Sequence, residues 1–152
     1  LFFKTLLPVM GASPSLVLEG GESFGALYIS GKPDDKFLED RSIRAVVSLG
    51  RYRTVFKDLH VLRIAVADDP GSAAELGRRL GEAALFVHGA RVAGLNTLVH
   101  CECGVSRSAT VVAAYLMCLA RAYGVDMTAR EAVDWLSERR PQVLPNEGFF
   151  RE

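Results

Sequence analysis

The stretch His100-Cys101-Glu102-Cys103-Gly104-Val105-Ser106-Arg107-Ser108 decides how the rest of the chain is read. In front of it lies the short apolar run Thr97–His100, and behind it Ser108–Ala122 is apolar nearly all round. The pattern is strand, tight turn, buried helix. Gly104 supplies the backbone freedom that such a turn needs. The amides of Glu102, Cys103, Gly104, Val105 and Ser106, with the first free N–H groups of the helix, then converge on one concavity. Together with the helix dipole they form an anion site.

A cysteine at the mouth of this cradle feels its positive field. Thiols so placed have pKa values of about 3.5–7.5, against about 8.5 for a free cysteine. Cys101 is therefore expected to be largely ionised at neutral pH and to act as a nucleophile. Arg107, at the start of the helix, can present two donors of its planar guanidinium to two phosphate oxygens at once. A thiolate beneath a bound phosphate is aligned for in-line attack on phosphorus.

Working outward, the chain reads as alternating strands and helices. Strand-like runs fall at Leu16–Leu18, Leu27–Ser30, Ile43–Leu49 and His60–Val66. Pro33-Asp34-Asp35 opens a short helix, with Pro in its first turn. Ser72-Ala73-Ala74-Glu75 and Thr128-Ala129-Arg130-Glu131 both read as capping boxes. After the first, Leu76, Leu80, Ala83, Val87 and Ala90 recur at helical spacing up to the stop at Gly94. Gly77 and Gly81 weaken that helix by roughly 1 kcal/mol each, which the periodicity outweighs. After the second box, Ala132, Val133 and Leu136 share a face, with Trp135 as a packing residue. Asn146 is a candidate cap for a last turn through Phe149. Such alternation predicts an α/β fold, a mostly parallel or mixed central sheet flanked by helices, in which ligands sit beyond the carboxyl ends of the strands.

The bulk numbers agree with one domain over residues 1–152. The chain is 49% hydrophobic and 24% charged, with 18 basic and 18 acidic residues, so it has no global field to attract nucleic acid or anionic membrane. Its 3 cysteines are an odd number clustered in one region, which is no disulfide framework and favours a reducing compartment. The cytoplasm is expected, with the nucleus as the alternative. The apolar opening Leu1-Phe2-Phe3-Lys4-Thr5-Leu6-Leu7 is too short to span a membrane and lacks the pattern of a signal peptide, and it reads as an arm packed on the domain.

The signature loop resembles the His-Cys-x-x-Gly-x-Ser-Arg-Ser motif of dual-specificity protein tyrosine phosphatases. The likeness continues through Ala109-Thr110 and Ala114-Tyr115-Leu116-Met117. Arg140-Pro141 and Pro145-Asn146-Glu147-Gly148-Phe149 are similar to the family's C-terminal Arg-Pro…Pro-Asn-x-Gly-Phe. Leu27-Tyr28-Ile29-Ser30 resembles its early Leu-Tyr-Ile-Gly, with Ser in place of Gly. The resemblance implies the cysteine-phosphatase fold, no metal or organic cofactor, and a phosphoprotein as partner. A monomer is expected.

It also distributes roles. Expelling the alkoxide or phenolate needs a proton, and a positioned carboxylic acid contributes about 10²–10⁴-fold. Ala67-Asp68-Asp69-Pro70 is similar to the family's Ala-Asp-x-Pro, which gives the general acid to Asp68, with the adjacent Asp69 as its rival. Ser108 supports hydrolysis of the cysteinyl phosphate by hydrogen bonding to sulfur, and His100 organises the loop from behind. Competing functions on the same scaffold are a phosphatase of lipids, glucans or RNA ends and a phosphopeptide-binding pseudoenzyme. Against lipids, Glu102, Val105 and Ser106 are not the lysines that a polyanionic headgroup calls for.

The remaining features carry less. Cys103 is either a redox partner for Cys101, against the strain of a Cys-x-Cys disulfide, or a small buried side chain. His100, Cys101 and Cys103 lack the spacing of a zinc site. Cys118 is expected in the core. Arg51-Tyr52-Arg53 with Lys57 forms a basic loop that reads as solvated rather than as a docking patch.

Overall fold

The computed structural model describes residues 14–50, 56–145 and 148. The opening apolar arm, Arg51-Tyr52-Arg53 and the cap expected at Asn146 lie outside the described residues. Five strands, β1 (Ser15–Leu18), β2 (Leu27–Ser30), β3 (Ile43–Leu49), β4 (His60–Ile64) and β5 (Asn96–His100), form one sheet in the order β1-β2-β5-β3-β4. Only the β1–β2 pair is antiparallel, while β2–β5, β5–β3 and β3–β4 run parallel. The helices are α1 (Asp35–Asp40), α2 (Ala73–Val92), α3 (Arg107–Ala122) and α4 (Ala129–Arg139).

Strand β3 shows why this sheet is covered on both faces. Ala45, Val46, Val47 and Leu49 are all fully buried, as expected of an interior parallel strand that alternates its side chains between two apolar layers. Val47 and Leu49 join Leu27, Ile29 and Val99 in the large core beneath α2, α3 and α4. Val46 turns the other way, with Ile43 and Leu98, to meet Leu38 of α1 and the rings of Tyr28, Phe37 and Phe56. Each fully buried Leu or Ile contributes about 1.5–3 kcal/mol relative to exposure, so this double layer holds the strand ends that carry the site.

Several expectations are corrected. Ser72 does not cap α2. Asp69 instead accepts the Ser72 N–H at 2.9 Å, capping a 3₁₀ turn at Pro70–Ser72, and Ser72 is left without a capping hydrogen bond. The Thr128–Glu131 capping box does form. Pro33 precedes the N-cap Asp34 rather than occupying the first turn of α1, and β4 ends at Ile64, short of Val66. Helix α3 is buried only through Leu116, and its last turns emerge. Cys118 is exposed for that reason and lines an apolar groove of about 330 Å³ with Leu85, His88 and Leu119. Trp135 does pack on the core edge, where the Arg139 guanidinium stacks 3.2 Å above its ring. Gly94 and Gly124, with φ of 80° and 78°, end α2 and α3.

Candidate active site

The parallel strands bring their carboxyl ends to one edge, where Ser30 and Ser48 both stand level with His100. The chain leaving β5 at His100 turns through residues 101–106 and enters α3 at Arg107. Gly104 sits at φ 67°, and a Cβ there would lie 2.5 Å from the carbonyl carbon of Ser30 and 2.6 Å from Nη2 of Arg140. Only glycine fits, both by conformation and by space.

The carbonyls of this loop are fastened outward one after another. Glu102 O accepts from the Lys32 N–H at 3.0 Å, and Val105 O accepts from the Leu144 N–H at 2.8 Å. Cys103 O and Gly104 O accept from Arg140, at 3.2 Å from Nη2 and 2.8 Å from Nε. Ser106 O accepts both the N–H and the hydroxyl of Thr110 at 2.9 Å. In a planar trans peptide the C=O and the next N–H point opposite ways, so the amides that follow these carbonyls turn inward. The Gly104 N–H shows the result, donating to Cys101 Sγ at 3.2 Å.

Cys101 is 2% exposed, and its sulfur also lies 3.1 Å from Ser108 Oγ. Arg107, 9% exposed, donates from Nη1 to Val66 O at 2.9 Å. Its Nε is buried with no hydrogen-bond partner among the described residues. A buried guanidinium N–H left unpaired is costly, and an oxyanion in the cradle would satisfy it. His100 is fully buried, with its ring edge-on to Phe56 at 5.8 Å. Burial, with the positive charges of Arg63, Arg107 and Lys32, pushes its pKa down to about 4 against the pull of its hydrogen bond to Cys101 O. The ring is therefore neutral at pH 7. Since a carbonyl can only accept, its proton sits on Nδ1 in that bond.

Of the two acids after β4, Asp69 is engaged locally, accepting the N–H and the hydroxyl of Ser72. Asp68 is exposed on the same loop and takes no part in that cap. Gly148 backs onto this loop: a Cβ there would lie 2.8 Å from Pro70 Cα. Cys103 is exposed rather than a small buried side chain. Among the described residues no group of three His, Cys, Asp or Glu side chains is arranged to hold a metal ion, and none of the helices is long and apolar enough to cross a membrane.

Residues 101–108 lie on the turn from β5 into α3, with Cys101 Sγ and Ser108 Oγ in contact. Arg140 and the N–H groups of Lys32 and Leu144 are participants that the motif leaves without a role. The sequence signal for Arg140 is the Arg-Pro pair after α4.

The site thus places a cysteine and an arginine on one loop at the carboxyl edge of a mixed, mostly parallel sheet. Residues 27–152 match the family model described as dual specificity phosphatase, catalytic domain, and the chain belongs to that family, the dual-specificity branch of the protein tyrosine phosphatases. It is 33% identical over 126 residues to dual specificity protein phosphatase 15 of Rattus norvegicus, covering 82% of this chain and 50% of that protein. It is 32% identical over 147 residues to dual specificity protein phosphatase 22 of Mus musculus, covering 94% and 73%. The crystal structure of DUSP15 superposes with a TM-score of 0.75 at 29% identity, covering 86% of this chain and 82% of that one. PTPMT1 in complex with PI(5)P gives 0.68 at 20% identity over 82% and 85%, a likeness of fold alone. The chain spans about half the length of the phosphatase 15 proteins that it matches, with 50% coverage of both the rat and mouse proteins.

Proposed function

We propose that this chain, as a single domain, hydrolyses phosphotyrosine and phosphoserine or phosphothreonine esters of proteins through a cysteinyl-phosphate intermediate. Cys101 Sγ forms a bond to phosphorus as the P–O bond to the protein side chain breaks, and Asp68 gives its proton to the departing oxygen. Arg107 and the amides of residues 102–107 hold the equatorial oxygens. Water, losing a proton to the Asp68 carboxylate, then attacks phosphorus. The sulfur leaves as thiolate, accepting from Ser108 Oγ, and inorganic phosphate is released.

The observation that carries the reading is the outward fastening of the carbonyls from Glu102 to Ser106 around a buried sulfur. Donors fixed before substrate arrives cost nothing to reorganise when charge develops, and in many enzymes such preorganisation accounts for most of the rate enhancement. The engagement of Asp69 by Ser72 supports Asp68 as the acid. The names of the relatives support protein substrates, and the same reading takes the phosphoprotein as partner and a single copy as the working unit.

The test is turnover of an aryl phosphate, followed by parallel panels of phosphopeptides and phosphoinositides. Release of phosphate from peptides, abolished in Cys101→Ser, is the expected result. Turnover confined to phosphoinositides would move the enzyme to the lipid branch. Binding without turnover would make it a phosphopeptide reader.

A further inference from the structure

Arg140 is fully buried, although it follows the last turn of α4 at the edge of the domain. Among the described residues its three kinds of donor reach acceptors on two distant segments: Nε to Gly104 O at 2.8 Å, Nη2 to Cys103 O at 3.2 Å and Nη1 to Ser15 Oγ at 3.0 Å. We propose that Arg140 is a positioning residue for catalysis, its guanidinium holding the carbonyls of Cys103 and Gly104 out of the pocket so that the amides of Gly104 and Val105 face the transferred phosphate. This rests on the phosphatase function proposed above.

The need for such a lock follows from Gly104 itself. The absence of a Cβ that permits φ 67° also makes rotation of the neighbouring peptide planes cheap. A rotated plane would put a carbonyl oxygen where the phosphate oxygens belong, exchanging a donor for a negative dipole. Lys32, Leu144 and Thr110 fasten the carbonyls on either side, whereas the two around the glycine are held by Arg140. A guanidinium suits the task because its donors diverge in one fixed plane, whereas an ammonium is a point charge on a flexible stem. Burial lowers the pKa of Arg140, and the Coulombic attraction of Cys101 works against that fall. The negative charge of the nucleophile therefore favours the charged form of the lock. Ser15, on edge strand β1, holds the far side of the fork.

The test uses the full chain with p-nitrophenyl phosphate as substrate and orthovanadate as the trigonal-bipyramidal inhibitor. Two variants are compared with wild type, Arg140→Lys and Ser15→Ala, each checked for folding by circular dichroism. In folded Arg140→Lys, kcat is expected to fall about 10²-fold, the scale set by loss of an oxyanion donor. KM should change less than about threefold, and the orthovanadate Ki should rise in step with the loss in kcat/KM. Ser15→Ala should show the same split at about three- to tenfold, and it carries the test alone if Arg140→Lys does not fold. The proposal is overturned if the folded variant keeps kcat and vanadate inhibition within twofold of wild type. It is equally overturned if the lost activity tracks the unfolded fraction and returns on cooling. Wild-type inactivity would sink the underlying phosphatase function, whereas an active wild type beside unaffected variants sinks only the role of Arg140.

Discussion

Arg107 donates from Nη1 to the carbonyl oxygen of Val66 at 2.9 Å, so the guanidinium of the phosphate loop is tied to the segment that leads into Asp68. The link fixes the direction from which the guanidinium fork approaches the cradle, and it sets the start of the acid loop against the same side chain. In the proposed mechanism, phosphate binding and leaving-group protonation are thereby positioned by one residue. That economy is available because β4 and β5 end at the same edge of a parallel sheet.

Replacing the nucleophile isolates binding from chemistry. Cys101→Ser is expected to lower kcat on an aryl phosphate by more than about 10³-fold, while orthovanadate or phosphopeptide binding, measured by calorimetry, stays within severalfold of wild type. Near-normal turnover in this variant would exclude Cys101 as the nucleophile.

The two neighbouring acids should separate cleanly. Asp68→Asn is expected to lose about 10²–10⁴-fold in kcat, with a larger loss for alkyl than for activated aryl phosphates. Asp69→Asn keeps a side-chain oxygen for the cap, since Asn and Asp serve about equally well there, and should change kcat less than about threefold. Steady-state kinetics on both ester types, with thermal melts, checks the pair. A reversed pattern would transfer the acid role to Asp69.

Ser108→Ala should slow the second half-reaction more than the first. The hydroxyl lies 3.1 Å from the Cys101 sulfur and, beside the Gly104 N–H, is a donor for the thiolate as it leaves phosphorus in the proposed mechanism. Rapid mixing should reveal a burst of phenolate release followed by a slower steady state. Absence of a burst, with unchanged kcat, would deny Ser108 this part.

His100 makes stability depend on pH in a defined window. Its pKa is about 4 in the fold and about 6.5 in the unfolded chain. Between those values the unfolded state binds more protons, so stability rises with pH. The contribution, on the order of 3 kcal/mol, is fully present above pH 6.5 and is lost as pH falls toward 4. Urea melts from pH 7.5 to 4 should show this decline, and His100→Gln should flatten it. Equal slopes in the two proteins would assign the acid sensitivity elsewhere.

Gly104→Ala is expected to destabilise by roughly 2–5 kcal/mol, combining a left-handed backbone penalty with overpacking. The new Cβ would stand 2.5 Å from the Ser30 backbone and crowd Arg140. A chemical melt measures the first effect, and loss of vanadate binding in the surviving folded fraction measures the second.

The loop from Cys101 to Ser108 is legible in the sequence because its spacing, its glycine and its flanking apolar runs all serve one local geometry. Where sequence and structure diverge, the deciding contacts lie outside the pattern. Ser72 and Thr128 open identical-looking boxes, yet Thr128 is extended at ψ 161° whereas Ser72, held by Asp69, has ψ 1°. A hydroxyl in that turn cannot reach back to its own helix. Cys118 shares the apolar composition of α3, but the neighbouring helices stop covering α3 before its last turns, and periodicity says nothing of where a neighbour ends. Arg140 stands out in the sequence through the Arg-Pro resemblance, but its role does not, because its burial depends on a turn 36 positions earlier in the chain.

The hydrogen bond from Arg140 to Ser15 joins residues 125 positions apart, and contacts of such separation form only after the intervening chain has closed. A growing polypeptide would display the complete Cys101–Arg107 motif well before it could use it. A fragment ending ahead of Arg140 should carry every residue of the signature and yet be inert. Under the proposed mechanism, full activity would then await the meeting of Ser15 and Arg140.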